Sequence, residues 1–116
     1  MSWRGRALPV SQCNNVYVFP GLGLGVIASG ARRVTDEMVL AAARALSACA
    51  APNGGPLAAL LPPLEAVRAV ARQVALAVGA EAQRQGLAPE VAPPEWERMV
   101  DDVRWEPRYQ PLRYQP

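Results

Sequence analysis

The stretch at residues 16–31 (VYVFPGLGLGVIASGA) constrains the fold most, because it carries no charged side chain. Its first four residues, Val16 to Phe19, are β-branched or aromatic without a polar interruption. Such a run is typical of a strand that is buried on both faces of a parallel sheet. A strand of this kind needs neighbours on both edges to satisfy its backbone. Because the rest of the sequence does not obviously supply them, the chain is predicted to be a piece of a larger sheet.

Three glycines follow the predicted strand. Pro20 and Gly21 are expected to end it, and a short apolar helix then carries Gly23 and Gly25. A dinucleotide-binding loop has the pattern G-x-G-x-x-G, with an acidic residue about 20 positions further on. Here the third spacing is wrong, and Asp36 opens a helix instead of ending a second strand. The glycines are therefore interpreted as a device for close helix–sheet packing. A helix N-terminus close to a cofactor is the alternative.

Amphipathic helices account for most of the remaining sequence. Thr35 is a good N-cap, and acidic residues follow it in the first turn of a helix predicted over residues 36–48. The longest predicted helix opens with two prolines and covers residues 62–85, with Gly86 as its cap. A last helix is predicted over residues 95–103. The residues expected on the buried faces of the helices predicted over residues 36–48 and 62–85 are Met38, Val39, Ala42, Ala45, Leu46, Leu64, Val67, Ala71, Val74 and Val78.

The composition excludes several kinds of chemistry. The chain has 116 residues, a net charge of +2, no histidine and no lysine, all 12 of its basic residues being arginine. Histidine acid–base catalysis and lysine chemistry are therefore excluded for this chain by itself, and no nucleic-acid partner is expected. Cys13 and Cys49 are expected to be buried free thiols in a reducing cytosol. With no convincing targeting or membrane-spanning segment, we expect a cytoplasmic protein without a membrane partner.

Two pairs of polar residues are candidates for a site. The side chains of Asn14 and Asn15 each offer two donors and an acceptor just before the predicted strand, although such a pair could equally belong to a turn. Asp101 and Asp102 could bind a divalent metal. Neighbouring positions on a helix, however, point about 100° apart. The aspartates are therefore interpreted as part of a solvated helix face.

Three segments carry a resemblance to a known family. QCNNVYVFPGLGLGVIASGARRVTDEMVLAAARALS, LLPPLEAVRAVARQVALAV and VRWEPRYQP resemble, in this order, the late part of malic enzymes, the NAD(P)-dependent decarboxylating malate dehydrogenases. The resemblance implies an α/β fold, the C-terminal piece of a Rossmann-type NAD(P)-binding domain. That piece is expected to be mostly helical, with one or two parallel-type strands.

The resemblance also implies a function. In malic enzymes an Asn-Asn pair reaches the active-site cleft, so Asn14 and Asn15 are the expected contacts to malate and the cofactor, without a choice between them. The complete enzyme would bind NAD or NADP, Mg or Mn, and malate or pyruvate, and would form a homo-oligomer. The tyrosine acid, the lysine base, the Glu-Asp-Asp metal ligands and the nucleotide loop of the family have no counterpart here. The chain alone is therefore predicted to be inactive. The alternatives are a non-catalytic, subunit-like remnant and a small helical interaction protein.

The predicted organisation has three parts. Residues 1–12 are expected to form an irregular leader. Residues 13–88 correspond to the C-terminal part of the malic enzyme NAD-binding domain. Residues 89–116 would form a C-terminal helix and an extended tail, in which the sequence Arg-Tyr-Gln-Pro occurs twice.

Overall fold

A computed structural model describes residues 1–7, 10, 13–50 and 60–114. These residues are mostly helical, with one small antiparallel sheet. The elements are strands β1 (Ser2–Trp3) and β2 (Arg6–Ala7), a first 3₁₀ helix (Asn15–Tyr17), helices α1 (Phe19–Ser29) and α2 (Asp36–Ala48), a second 3₁₀ helix (Leu64–Ala66), and helices α3 (Val67–Arg84) and α4 (Pro93–Val103).

The two strands form a hairpin near the N-terminus. Ser2 pairs with Ala7, and Trp3 pairs with Arg6. The two residues between the strands both have positive φ angles, 49° and 75°, and the second of them is Gly5. Two-residue hairpin turns favour positive φ at both central positions, because this backbone twist matches that of the strands. The prediction of an irregular leader is therefore wrong for residues 2–7, while positions 8, 9, 11 and 12 lie outside the described residues.

The predicted parallel strand at residues 16–19 is helical instead. Asn15–Tyr17 form a 3₁₀ helix, and α1 begins at Phe19. A short apolar run is compatible with either a buried strand or a buried helix, and periodicity alone does not separate them. Pro20 lies in the first helical turn, where its missing N–H removes no helical hydrogen bond. The strands in the described ranges are thus antiparallel, and none of them is of the parallel type.

Helix α2 agrees with its prediction in start and end. The Oγ1 atom of Thr35 accepts a hydrogen bond from the Met38 N–H at 3.3 Å, so Thr35 is the N-cap. Met38, Ala42 and Leu46 are buried on one face, as their spacing predicts. Val39 is the exception, since it is exposed on the neighbouring face.

Helix α3 is the centre of the fold and packs against α1, α2 and α4. Its buried line runs through Val70, Val74, Val78 and Ala82, so the prediction is confirmed for its C-terminal half. Leu64, however, is half-exposed in the second 3₁₀ helix, which replaces the predicted first turn. The chain leaves α3 through a glycine with a φ of 70°, as the cap prediction requires.

A second, smaller apolar cluster joins α4 to α3 and α1. Trp96 is buried there with Ala28, Ala75 and Val100. Its indole N–H donates a hydrogen bond to the Leu76 carbonyl at 3.0 Å. The indole ring lies directly against Gly79, where any side chain would overlap it. This cluster fixes α4 on α3.

The two cysteines differ in their exposure. Cys13 is exposed and Cys49 is half-buried, so the expectation of two buried thiols is wrong for Cys13. Both thiols are free.

Among the described helices, none is long and apolar enough to cross a membrane.

Candidate functional site

Asn14 caps the first 3₁₀ helix. Its backbone is extended, with φ and ψ of −145° and 144°, and its Oδ1 atom accepts a hydrogen bond from the Val16 N–H at 3.1 Å. The Asn14 carbonyl also accepts a hydrogen bond from the Tyr17 N–H at 3.2 Å. Asparagine is favoured at such a position, because its short side chain can accept a hydrogen bond from an N–H group left free at the start of a helix. Asn14 is exposed, and its NH₂ group makes no hydrogen bond to the described residues, so it is available as a donor.

Asn15 is the first residue of the same 3₁₀ helix and is exposed. Its carbonyl accepts a hydrogen bond from the Val18 N–H at 3.1 Å. Within the described ranges, its side-chain amide makes no hydrogen bond. The whole amide, with two donors and one acceptor, is therefore free to bind a ligand. The two asparagines thus differ: one side chain is partly used by the fold and the other is not.

A buried tyrosine holds this asparagine pair in place. Tyr17 is only 5% exposed, and its hydroxyl donates a hydrogen bond to the Pro62 carbonyl at 2.8 Å. This bond joins the first 3₁₀ helix to the segment before α3, 45 residues further along the chain. No motif in the sequence predicts this anchor. The one signal available was an aromatic residue with a polar tip two positions after the pair, a residue type that usually finds a partner when buried.

Two of the three glycines of α1, Gly21 and Gly25, are packing residues. A Cβ atom added to Gly21 would lie 2.7 Å from the Ala71 carbonyl oxygen, and one added to Gly25 would lie 2.7 Å from the Ala75 carbonyl oxygen. Both glycines therefore allow α1 to approach the backbone of α3 closely. The interpretation as packing residues is confirmed for Gly21 and Gly25, with the correction that their partner is a helix and not a sheet. It is wrong for Gly23, which has no such contact among the described residues.

The connection between α2 and the end of α3 is held by a polar network. Thr35 donates from Oγ1 to Gln85 Oε1 at 2.8 Å, and Gln85 Nε2 donates to Glu81 at 3.1 Å. The guanidinium of Arg84 also hydrogen-bonds Glu81 and holds the pKa of that carboxyl below its usual value. These groups satisfy one another, so the network stabilises the fold and is not a candidate site.

The two aspartates of α4 do not converge. Asp101 accepts hydrogen bonds from Arg72 Nε and Nη2 at 2.7 and 2.8 Å, whereas Asp102 lies 3.9 Å from Arg98. No group of three or more potential metal ligands is present among the residues that the structure describes. Both carboxylates are exposed, which agrees with the interpretation of a solvated helix face, and Asp101 in addition forms an interhelical ion pair.

An apolar groove of about 360 Å³ opens beside the start of α1. Its walls come from α1, the start of α3, the last residue of α4 and the two residues after it. The lining residues are Pro20, Leu24, Ile27, Val67, Arg68, Ala71, Val103, Arg104 and Trp105.

Comparison with known sequences assigns the chain to a family. The sequence model of the family described as malic enzyme, NAD binding domain, matches residues 1–83. This match covers well over half of the chain, so the chain belongs to the malic enzyme family, as its motifs predict. The NAD-dependent malic enzyme of Vibrio campbellii is 47% identical over 107 residues, which is 90% of this chain. The NAD-dependent malic enzymes of Salmonella arizonae and Salmonella paratyphi B are each 41% identical over 111 residues, or 96% of it.

The relatives are much longer than the part they share with this chain. The matched segment is 19% of the Vibrio enzyme and 20% of the Salmonella enzymes. The chain thus spans about a fifth of the length of these relatives, and about four fifths of each lie outside the match.

Proposed function

We propose that this chain forms the C-terminal part of the Rossmann-type NAD-binding domain of an NAD-dependent malic enzyme, with residues 13–88 as that part. The reaction oxidises C2 of malate with hydride transfer to NAD, after which the C3–C4 bond breaks and CO₂ leaves. Protonation of the resulting enolpyruvate gives pyruvate. The observation that carries this proposal is 41–47% identity to NAD-dependent malic enzymes over 90–96% of the chain.

In this proposal, Asn14 and Asn15 bind malate and the neighbouring part of NAD. A carboxylate accepts hydrogen bonds, and an amide NH₂ group supplies them in a fixed plane. Among the described residues, neither the oxygen nor the NH₂ group of the Asn15 side chain makes a hydrogen bond. The Oδ1 atom of Asn14, in contrast, accepts one from the Val16 N–H. This difference supports Asn15 as the main contact to the substrate and Asn14 as a cap that can add one donor.

The remaining groups of the reaction are assigned to the four fifths of the enzyme outside this chain. A lysine base cannot come from a chain that contains no lysine. The described residues also offer no cluster for Mg or Mn, which would polarise the C2 oxygen when bound. We therefore propose that the 116-residue chain is inactive by itself, and that the complete enzyme is a cytoplasmic homo-oligomer.

The test uses a chimera in which this chain replaces the matching segment of the Vibrio campbellii enzyme. Asn15→Ala is expected to raise KM for malate about tenfold or more, because a lost hydrogen bond to a charged group is worth about 1.5–3 kcal/mol. Gln73→Ala is the matched control, since Gln73 is an exposed amide on α3. It should leave KM unchanged.

Asn14→Ala needs a second measurement because this side chain also caps a helix. Its effect on the denaturation midpoint of the isolated chain gives the structural part of its role, and KM in the chimera gives the part due to binding. If neither asparagine variant changes the malate response of an active chimera, the assigned role of the pair is wrong.

A further inference from the structure

Helix α1 is apolar on every side. Of its 11 residues only Ser29 has a polar side chain, and the Ser29 hydroxyl donates a hydrogen bond to the Val26 carbonyl of the same helix at 3.2 Å. A helix that is apolar all round is normally buried on all sides. The surroundings of α1 can therefore be compared with this expectation, face by face.

One face of α1 is closed within the chain. Gly21 and Gly25 contact α3 so closely that an added Cβ would lie 2.7 Å from its backbone oxygens. Ala28 is buried with Trp96 of α4. On this side the expectation of burial is met.

The opposite face of α1 is open. Phe19 is 59% exposed, Ile27 is 71% exposed, and Gly23 lies between them at equal spacing on the same line of the helix. We call these three residues the outer face of α1. A Cβ atom added to Gly23 would meet no atom within 4 Å in the part of the chain that the structure describes. Glycine inside a helix costs about 1 kcal/mol relative to alanine, and the contacts among the described residues give no reason for that cost.

We propose that the outer face of α1 packs against the remaining part of the malic enzyme NAD-binding domain, with Gly23 allowing the backbone of that part to approach closely. This proposal rests on the proposed function, because that function supplies the occupant. The shared segment is only 19–20% of the relatives, so most of such an enzyme is available to cover this face. The face carries no charge, and the groove beside it is lined mainly by apolar residues, so the covering surface must itself be apolar.

The geometry of Gly23 repeats that of the closed face. Gly21 and Gly25 remove side chains where another helix backbone approaches, and Gly23 removes one on the opposite side. A large residue on each side of Gly23, Phe19 and Ile27, leaves a notch between them. A second backbone can enter this notch as α3 does on the inner side.

The experiment measures whether position 27 is covered. Ile27→Cys is introduced with Cys13→Ser and Cys49→Ser, both in the isolated chain and in the Vibrio chimera. Alkylation by iodoacetamide at residue 27 is followed by peptide mass spectrometry. In the chimera we expect it to be slower by about tenfold or more, because a buried thiol reacts only when the structure opens.

Ala43→Cys on the same background is the control. Ala43 is exposed on the face of α2 that also carries Asp36 and Ser47, and it should react fast in both proteins. Equal rates at residue 27 in the two proteins overturn the proposal. Slow reaction in the isolated chain that becomes fast on dilution also overturns it, because a second copy is then the occupant. A chimera without a cooperative melting transition counts against it too, since the face must fit the relative's domain.

Gly23→Leu gives a second measurement. It should leave the helix content of the isolated chain unchanged and lower the melting temperature of the chimera, whereas Ala43→Leu should change neither. If Gly23→Leu lowers the helix content of the isolated chain as much as that of the chimera, the proposal is contradicted. Because labelling and melting do not depend on malate turnover, failure here is separable from failure of the proposed function, which is read from KM for malate.

Discussion

The surroundings of α3 and the outer face of α1 are built from the same kinds of residue but differ in closure. Around α3, glycines and apolar side chains meet partners on three other helices. On the outer face of α1, the glycine has no neighbour within 4 Å among the described residues, and the two large apolar side chains are exposed. The difference shows that sequence composition alone does not define a complete core. An element can be fully apolar while the chain that carries it supplies only part of its contacts.

The test with the largest expected effect removes a buried side chain from the surroundings of α3. Trp96→Ala deletes a buried indole and its hydrogen bond to α3. Substitutions of this kind cost about 3–5 kcal/mol, so the free energy of unfolding measured in urea should fall by that amount. Trp105→Ala is the matched control, because Trp105 is 76% exposed and should cost much less. Equal losses for the two tryptophans would show that α4 is not fixed on α3 as described.

A smaller test uses two glycines on opposite sides of α1. Gly21→Ala places a methyl group 2.7 Å from a backbone oxygen of α3, so the helices must separate. Overpacking costs about 1–3 kcal/mol, against a gain of about 1 kcal/mol in helix propensity. We expect a net loss of stability in the isolated chain, measured as a lower urea midpoint.

Gly23→Ala is the control for this substitution and should have the opposite sign. It gains the same helix propensity without a steric contact, so the isolated chain should become more stable by up to about 1 kcal/mol. A loss of stability at both positions would mean that α1 is contacted on its outer face within the isolated chain. The contrast between the two regions would then be wrong.

The sequence predicted the helices with clear end signals and failed where local signals conflict. Thr35 defines the start of α2, and the buried spacing continues through Val74 and Val78 of α3. Residues 16–19 carry strand propensity, but Tyr17 is buried in the main core as part of a 3₁₀ helix and Phe19 begins α1. Tertiary packing decided this conformation, and a single sequence does not contain that information locally.

The candidate site was predictable only in part. The resemblance pointed to Asn14 and Asn15, and the structure adds that their side chains differ in how far the fold uses them. The Tyr17 contact to Pro62 joins positions 45 residues apart. No local pattern encodes such a contact. The exposure of the outer face of α1 could not be predicted for the same reason, because it depends on which faces of α1 the other helices cover.

The smallest test concerns the polar rim of the closed side, where Arg72 of α3 pairs with Asp101 of α4. The Arg72 guanidinium holds the pKa of Asp101 below its usual value through two hydrogen bonds of 2.7 and 2.8 Å. A lowered pKa in the folded state stabilises the fold above the unfolded pKa. This contribution is lost as the pH falls through the folded pKa. The carboxylate is 46% exposed, so solvent screening keeps the effect below about 1 kcal/mol.

Asp101→Asn should therefore lower the urea midpoint slightly at pH 7. Its effect should shrink as the pH falls from the unfolded pKa of about 4 towards the lower pKa of the folded state, below which the wild-type carboxyl is also neutral. Asp102→Asn is the control, because its carboxylate lies 3.9 Å from Arg98 on the same helix and does not bridge α3 and α4. A pH-independent difference between Asp101→Asn and the wild type would assign the loss to packing. The ion pair would then add nothing to the closure of this side, and the contrast with the outer face of α1 would rest on apolar contacts alone.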